Sequence, residues 1–181
     1  MSRSMPARLA MFVVATALTA STAGAVTDSN FTYDAFKLGS FPIHGYALAP
    51  FASVSGGFGW EKDGSAGTVI GTGGYGCLST SVDLPNGAWL YALDIVYANA
   101  AGDNVYVEIN RGNGTDSGAY VVSQNVPENS GTRKSLRILI TNSNLRLVNN
   151  DAYYYGFAVC LGASDKFYGA RLYYHYNSAG D

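Results

Sequence analysis

The stretch that decides the fold is YYYGFAVCLGASDKFYGARLYYHY, residues 153–176 near the end of the chain. It contains seven tyrosines and two phenylalanines but only three charged residues. Bulky apolar side chains alternate with smaller or more polar ones over residues 152–161 and again over residues 166–176, and this period of two is typical of β-strands. The pattern predicts two consecutive strands whose aromatic side chains mostly pack in the core of a β-sandwich.

The alternation also predicts which side chains face the core. In the first strand, the predicted core residues are Tyr153, Tyr155, Phe157, Val159 and Leu161. In the last strand, one face carries Tyr168, Ala170, Leu172, Tyr174 and Tyr176. The opposite face carries Phe167, Gly169, Arg171, Tyr173 and His175. We expect the face that carries Arg171 and His175 to be the more solvent-exposed of the two.

The same period of two continues upstream, between turns rich in Gly, Asn and Asp. Strands are predicted at residues 77–84, 89–97, 105–109, 119–123 and 136–140, with a short one at 68–70. Residues 26–40 are expected to hold at most one short strand, and the prolines and glycine of residues 41–50 favour an edge strand there. Within 89–97, one face is predicted to carry Trp89, Tyr91, Leu93, Ile95 and Tyr97.

No stretch shows a sustained helical period. Short strands separated by turn residues predict an all-β protein, an antiparallel β-sandwich of seven to nine strands that is jelly-roll-like. Residues 53–76 contain nine glycines and are interpreted mainly as a loop. The motif GTGGYG at residues 71–76 matches a nucleotide-binding pattern, but a predicted strand follows it where that site needs a helix.

The first 25 residues have the organisation of a signal peptide. Arg3 and Arg8 precede the apolar residues 9–20, and small residues lead to a predicted cleavage after Ala25. A retained N-terminal anchor is the alternative. Residues 26–181 then form one domain, secreted or periplasmic, with no later apolar run long enough for a membrane span.

The net charge limits which kinds of partner this protein can bind. Without Arg3 and Arg8 the chain has 9 basic and 13 acidic residues, and the resulting net charge of −4 argues against nucleic acid as a partner. The basic cluster of Arg133, Lys134 and Arg137 is interpreted as a solvated strand edge rather than a phosphate site.

The two cysteines, Cys77 and Cys160, are predicted to form a disulfide, because exported proteins mature in an oxidising compartment. Both lie on the face of their strands opposite the apolar residues, so neighbouring strands could be bridged without a change of face. Two buried thiols are the alternative. A bridge closing a loop of about eighty residues would stabilise the fold by roughly 4 kcal/mol.

No constellation of residues indicates catalysis. His44 and His175 are the only histidines, and no nucleophile elbow is present. Nothing separates Glu61, Glu108 and Glu128 from ordinary solvated charges, so we expect no enzyme. No cofactor or zinc site is predicted. A calcium-binding site remains an alternative, because the loop aspartates Asp103, Asp116 and Asp151 are possible carboxylate ligands.

The aromatic residues that the core does not use are candidates for ligand binding. Tyr106, Tyr154, Tyr173 and His175 are predicted on outer faces, and Trp60 in the glycine-rich loop. Flat exposed rings can stack on the apolar face of a sugar or anchor a protein partner. Incidental exposure, or cover by loops, is the alternative explanation.

Three motifs carry a resemblance: GCLSTSVDLPNGAWLYALDIVYANAAGDNVYVEINR at residues 76–111, NNDAYYYGFAVCL at 149–161 and FYGARLYYHY at 167–176. They resemble a group of exported bacterial all-β proteins of uncharacterised function. The resemblance implies a jelly-roll-like sandwich and transfers no catalytic residue.

The sequence thus predicts an exported, non-enzymatic binding or structural module. Its most specific form is a binder of carbohydrate or of a cell-surface protein. A self-assembling surface protein and a secreted hydrolase are the alternatives. The oligomeric state does not follow from the sequence.

Overall fold

The computed structural model describes residues 32–50, 59–64, 67–100, 105–115 and 118–178. The predicted signal peptide, with its cleavage site at Ala25, and two calcium candidates, Asp103 and Asp116, lie outside these residues. A three-residue 3₁₀ turn, Gly45–Ala47, is the single helical element of the described part, so no helix there is long enough to cross a membrane.

Eleven strands provide nearly all of the regular secondary structure in the described residues. They are β1 (Thr32–Ile43), β2 (Ala49–Pro50), β3 (Gly59–Asp63), β4 (Thr68–Gly73), β5 (Gly76–Ser81), β6 (Trp89–Ala98), β7 (Tyr106–Gly112), β8 (Gly118–Asn125), β9 (Lys134–Leu139), β10 (Tyr154–Leu161) and β11 (Lys166–Ser178).

The strands form two antiparallel sheets. Sheet A has the order β3-β4-β11-β6-β9, with β1 also paired to β11, and sheet B has the order β2-β5-β10-β7-β8. Across the last eight strands, β4 pairs with β11, β5 with β10, β6 with β9, and β7 with β8. The first of these eight strands thus pairs with the last, the second with the second last, and so on inward. This nested pairing arises when a long hairpin folds over into two sheets, which is a jelly roll.

The predicted fold class is therefore confirmed, although the two sheets contain eleven strands rather than the predicted seven to nine, eight of them in the jelly-roll pairing. Two local predictions were wrong. Residues 32–43 form one twelve-residue edge strand, not a short one. The glycine-rich region is largely a hairpin of β3 and β4 rather than a loop. Glycine is needed there because a Cβ on Gly71 would collide with the backbone carbonyl of Gly162.

The hydrophobic core lies between the two sheets. On β10, Tyr155, Phe157, Val159 and Leu161 are buried, as the alternation predicted. The Phe157 ring of sheet B stacks on the Phe167 ring of sheet A with centroids 5.5 Å apart. Aromatic contact thus joins the two layers directly, and apolar burial of this kind is the main favourable term in folding.

Two β-bulges change the face of several side chains, and the predicted faces of β6 and β11 were wrong at these points. The pairing of β11 with β6 shifts register at Tyr168 and again at Tyr91, each of which is an extra residue without a partner. A bulge reverses the alternation. Trp89, Tyr91 and Tyr168 consequently lie on the outer face of sheet A, while Phe167 is buried in the core.

The disulfide between Cys77 and Cys160 is confirmed. The two residues are directly opposite each other on the neighbouring strands β5 and β10. They are separated by 83 positions in the chain, so the bridge closes a large loop of the unfolded chain. Its main effect is to lower the conformational entropy of the unfolded state.

Removal of this disulfide is expected to destabilise the domain strongly. The double variant Cys77→Ala/Cys160→Ala should lose about 4 kcal/mol of unfolding free energy, by the loop-closure argument. Chemical denaturation of the two proteins measures the difference. Wild-type protein unfolded under reducing conditions is the matched control and should behave like the variant; a loss below about 1 kcal/mol in both would contradict the expectation.

Tyr97 should make stability depend on alkaline pH. Burial raises the pKa of its phenol above the ordinary value of 10.0, and the nearby side-chain amide of Asn129 opposes this only in part. The hydroxyl also donates to the carbonyl of Pro127, 3.1 Å away. Above pH 10 the unfolded chain loses this proton first, so the tyrosine's contribution, complete below pH 10, declines as the pH rises.

Tyr97→Phe should therefore lower the free energy of unfolding by about 1 kcal/mol at pH 7. Above pH 10, the stability of this variant should decrease less steeply with pH than that of the wild type. Urea unfolding at several pH values tests this. Tyr154→Phe, which alters an exposed hydroxyl on β10, is the control and should leave the decline unchanged. Equal slopes for wild type and Tyr97→Phe would refute the linkage.

Candidate functional site

Six aromatic side chains gather on the outer face of sheet A. We call this set the aromatic face: Phe36, Trp89, Tyr91, Tyr168, Tyr173 and His175. Strand alternation accounts for Tyr173 and His175 on β11, and the two bulges bring Tyr91 and Tyr168 to the same side. The surface is therefore a product of pairing register rather than of local sequence alone.

Tyr91 lies at the centre of this face. Its ring centroid is 5.3 Å from that of His175 and 6.2 Å from that of Tyr173, which it meets edge to face at 62°. Ala92, whose small side chain is fully buried, pairs with Tyr173 across the strands. Mutual contact holds the rings in place, so a ligand would meet surfaces that are already ordered.

Two clefts open on the aromatic face. The first has a volume of about 580 Å³ and a mainly apolar lining of Phe36, Trp89, Leu90, Tyr91, Arg146 and His175. The guanidinium carbon of Arg146 lies 4.7 Å from the centre of the Trp89 ring. Cation–π contact of this kind orients an arginine while its remaining donors stay available.

The second cleft has a volume of about 370 Å³ and lies on the other side of Tyr173. Its polar lining comes from His44, Asp94, Ser135 and Arg171, and Tyr168 contributes an aromatic wall. It combines rings with hydrogen-bonding groups, a pairing found in many ligand sites.

An ion pair supports the centre of this surface. Arg137 on β9 donates from Nε and Nη2 to the two carboxylate oxygens of Asp94 on β6, each at 2.6 Å. The guanidinium carbon of Arg137 lies 5.2 Å from the Tyr173 ring centre. The bidentate hydrogen bonds and the charge of Asp94 raise the pKa of Arg137, which stays cationic at all working pH values.

The basic cluster lies at the edge of sheet A, as predicted: Lys134 and Arg137 are on β9, and Arg133 immediately precedes that strand. Two of its members have a further role that the sequence did not indicate. Arg133 covers the Tyr168 ring at 4.7 Å, and Arg137 covers the Tyr173 ring. The strand edge therefore supplies cations to the rim of the aromatic face.

The five predicted ligand residues do not form one site. Tyr173 and His175 come together on sheet A, whereas Tyr106 and Tyr154 lie on the outer face of sheet B. Trp60 was wrongly expected in a loop. It lies on β3 and packs partly against the core, with the Lys62 ammonium 5.3 Å from its ring centre.

The outer face of sheet B is more polar than the aromatic face. The Tyr106 hydroxyl is 2.8 Å from the Ser123 hydroxyl, and Tyr154 is 77% exposed. Beside Tyr154 a groove of about 330 Å³ has a floor of glycine and short polar side chains, among them Asn110, Gly112 and Gly156. One exposed ring borders this groove, compared with several on sheet A.

The predicted acidic candidates remain scattered. Glu61 lies on β3 in sheet A, Glu108 lies on β7 in sheet B beside the Asn110 amide, and Glu128 follows β8. Asp151, a calcium candidate, is exposed in a turn. Within the described ranges no three His, Cys, Asp or Glu side chains are grouped as a metal site would need.

Comparison with known proteins gives structural matches alone. No family model matches the chain, and no curated protein matches it. The C-terminal CBM6 of LamC, a laminarinase from Zobellia galactanivorans, has a TM-score of 0.50 at 12% identity, covering 74% of this chain and 98% of that one. At this identity the likeness establishes a shared β-sandwich fold.

Two further matches are weaker. A family 35 carbohydrate-binding module from Clostridium thermocellum has a TM-score of 0.47 at 15% identity, with 74% of this chain and 97% of that one covered. A carbohydrate-binding module of Cellvibrio mixtus lichenase 5A has a TM-score of 0.47 at 11% identity, with 73% and 95% covered.

The ion pair beneath Tyr173 should contribute little to stability. Both partners are partly exposed, so solvent screens their attraction. A double-mutant cycle with Asp94→Asn and Arg137→Gln, measured by urea unfolding, should give a coupling energy close to the error of the measurement. A coupling energy well above that error would show that the pair is a structural requirement of sheet A.

Proposed function

We propose that this chain is an exported carbohydrate-binding domain that holds a glycan on the aromatic face of sheet A. The observation that carries the proposal is the cluster of ordered, partly exposed rings around Tyr91, with arginine side chains beside them. Sugar rings present apolar C–H faces that pack on aromatic rings, while their hydroxyls need hydrogen-bonding partners at the edge.

The fold supports this function by analogy. The LamC domain, with which the chain shares its sandwich, is named as a CBM6 of a laminarinase. A fold can support many functions, so the residues of the aromatic face carry the argument and the fold adds to it. The Cys77–Cys160 disulfide agrees with export to an oxidising compartment.

Sheet A is preferred to sheet B because of the number and order of its rings. On sheet B, Tyr154 is exposed beside glycines and the Tyr106 hydroxyl is already engaged by Ser123. On sheet A, the Tyr91 ring contacts the rings of both Tyr173 and His175. Several rings on one face can contact successive sugar units of a chain, which a single ring cannot do.

Self-assembly is a second candidate, and a specific observation favours it. Phe36 within the aromatic face is 59% exposed, and Leu38 on β1 and Leu139 on β9, beside that face, are each 60% exposed. Exposed apolar side chains in such a group can mark a protein interface. Light scattering over a range of concentrations would reveal a mass that increases with concentration if copies of the chain associate through this face.

Glycan binding can be followed by the fluorescence of Trp89, because Trp60 and Trp89 are the two tryptophans of the chain. In a Trp60→Phe background, Trp89 reports on the first cleft. Soluble β-1,3-glucan, β-1,4-glucan, β-1,4-xylan and β-1,4-mannan, together with acidic polysaccharides, form the panel. We expect at least one to bind, with a saturable change in emission.

In the same background, Tyr91→Ala should weaken binding about tenfold, equivalent to about 1.4 kcal/mol, because it removes the central ring. Tyr154→Ala, on sheet B, is the matched control and should change affinity less than about twofold. Circular dichroism checks that each variant is folded. No binding to any glycan of the panel, or an equal loss in both variants, would refute the proposed site.

A further inference from the structure

We infer that the aromatic face is built for an acidic glycan, a chain of sugars that carry carboxylate groups. This inference rests on the proposed function and specifies its ligand class. It comes from the charges around the two clefts, which differ in sign from those of the chain as a whole.

Cations outnumber anions on this surface. The linings of the two clefts include Arg146 and Arg171, and Asp94 is the single carboxylate among them. Arg133 and Arg137 stand at the rim over the rings of Tyr168 and Tyr173. The chain as a whole has a net charge of −2, so this local excess of arginine is not a consequence of composition.

The one carboxylate is already occupied. Both oxygens of Asp94 accept hydrogen bonds from Arg137, and Asp94 lies between Arg137 and Arg171 in the strand register. Neither Arg146 nor Arg171 forms an ion pair with any residue that the structure describes. Two guanidinium groups are thus available to an anion at the surface of the clefts.

The arginines are placed where a sugar acid would present its charge. Arg146 stacks on Trp89 in the first cleft, and Arg171 shares its strand face with Tyr173 and His175. A pyranose that packs on these rings would hold its equatorial substituents toward the cleft walls. A planar guanidinium can bind a carboxylate through two parallel hydrogen bonds, which makes arginine selective for that group over a hydroxyl.

The test compares each acidic polymer with its own neutral form. Polygalacturonate, alginate and glucuronoxylan are measured beside the same polymers after reduction of their carboxylates to primary alcohols, so that the backbone is constant. We expect at least one acidic polymer to bind about tenfold more tightly than its reduced form, and this preference should decline as salt rises.

Variants assign the preference to the arginines. Arg171→Gln and Arg146→Gln should each weaken binding of the acidic polymer about tenfold and leave the reduced form within about twofold. Asp94→Asn should strengthen binding about threefold by removing the competing carboxylate. Lys62→Gln, which removes one positive charge on β3 away from the clefts, is the matched control and should have no effect.

Each outcome separates the two proposals. Equal binding of the acidic and reduced forms overturns the acidic ligand but leaves carbohydrate binding intact. Failure of every polymer, acidic, reduced or neutral, overturns both. Binding of dextran sulfate but of no carboxylated polymer also overturns the inference, because the surface would then respond to sulfate charge. If Arg146→Gln fails to fold because it loses the packing of Arg146 on Trp89, the test rests on Arg171→Gln, which changes an exposed side chain.

Discussion

β11 hydrogen-bonds to three strands, β1 and β4 along one edge and β6 along the other, so its register positions most side chains of sheet A. A strand with partners on both edges cannot slip by one residue without exposing its core residues and breaking both ladders. The pairing of β11 with β6 nevertheless contains two bulges. They persist because the core on either side, around Phe167 and Leu172, is fully buried.

The bulges connect the folding of sheet A to the composition of the aromatic face. Each adds one aromatic residue, Tyr91 or Tyr168, to the outside of the sheet without removing an apolar residue from the inside. On a strand without a bulge, successive side chains alternate strictly between the core and the outer face. With a bulge, β6 supplies Leu90 and Leu93 to the core and Trp89 and Tyr91 to the outer face within five consecutive residues.

This explains which parts of the molecule could be predicted from sequence. Alternation identified the class, most strands and the core face of β10, because these follow from a period of two. The pairing of Cys77 with Cys160 was predicted instead from expected export and from the presence of two cysteines in the sequence. It placed Tyr173 and His175 outside correctly, yet missed Trp89, Tyr91 and Arg146. Register shifts depend on the partner strand, and Arg146 reaches Trp89 through the bridge between Trp89 and Leu147, which joins distant parts of the chain.

Charge adds a constraint that the aromatic rings alone would not impose. Stacking on rings accepts almost any pyranose, because most of them offer an apolar face. If the aromatic face binds a glycan as proposed, discrimination must come from groups at the edge of the rings, and those groups are mainly guanidiniums. Asp94 holds Arg137 over Tyr173 and at the same time lowers the local positive charge, so its carboxylate limits how strongly an anion is attracted. A surface balanced in this way favours ligands that satisfy both the rings and the arginines over those that satisfy only one.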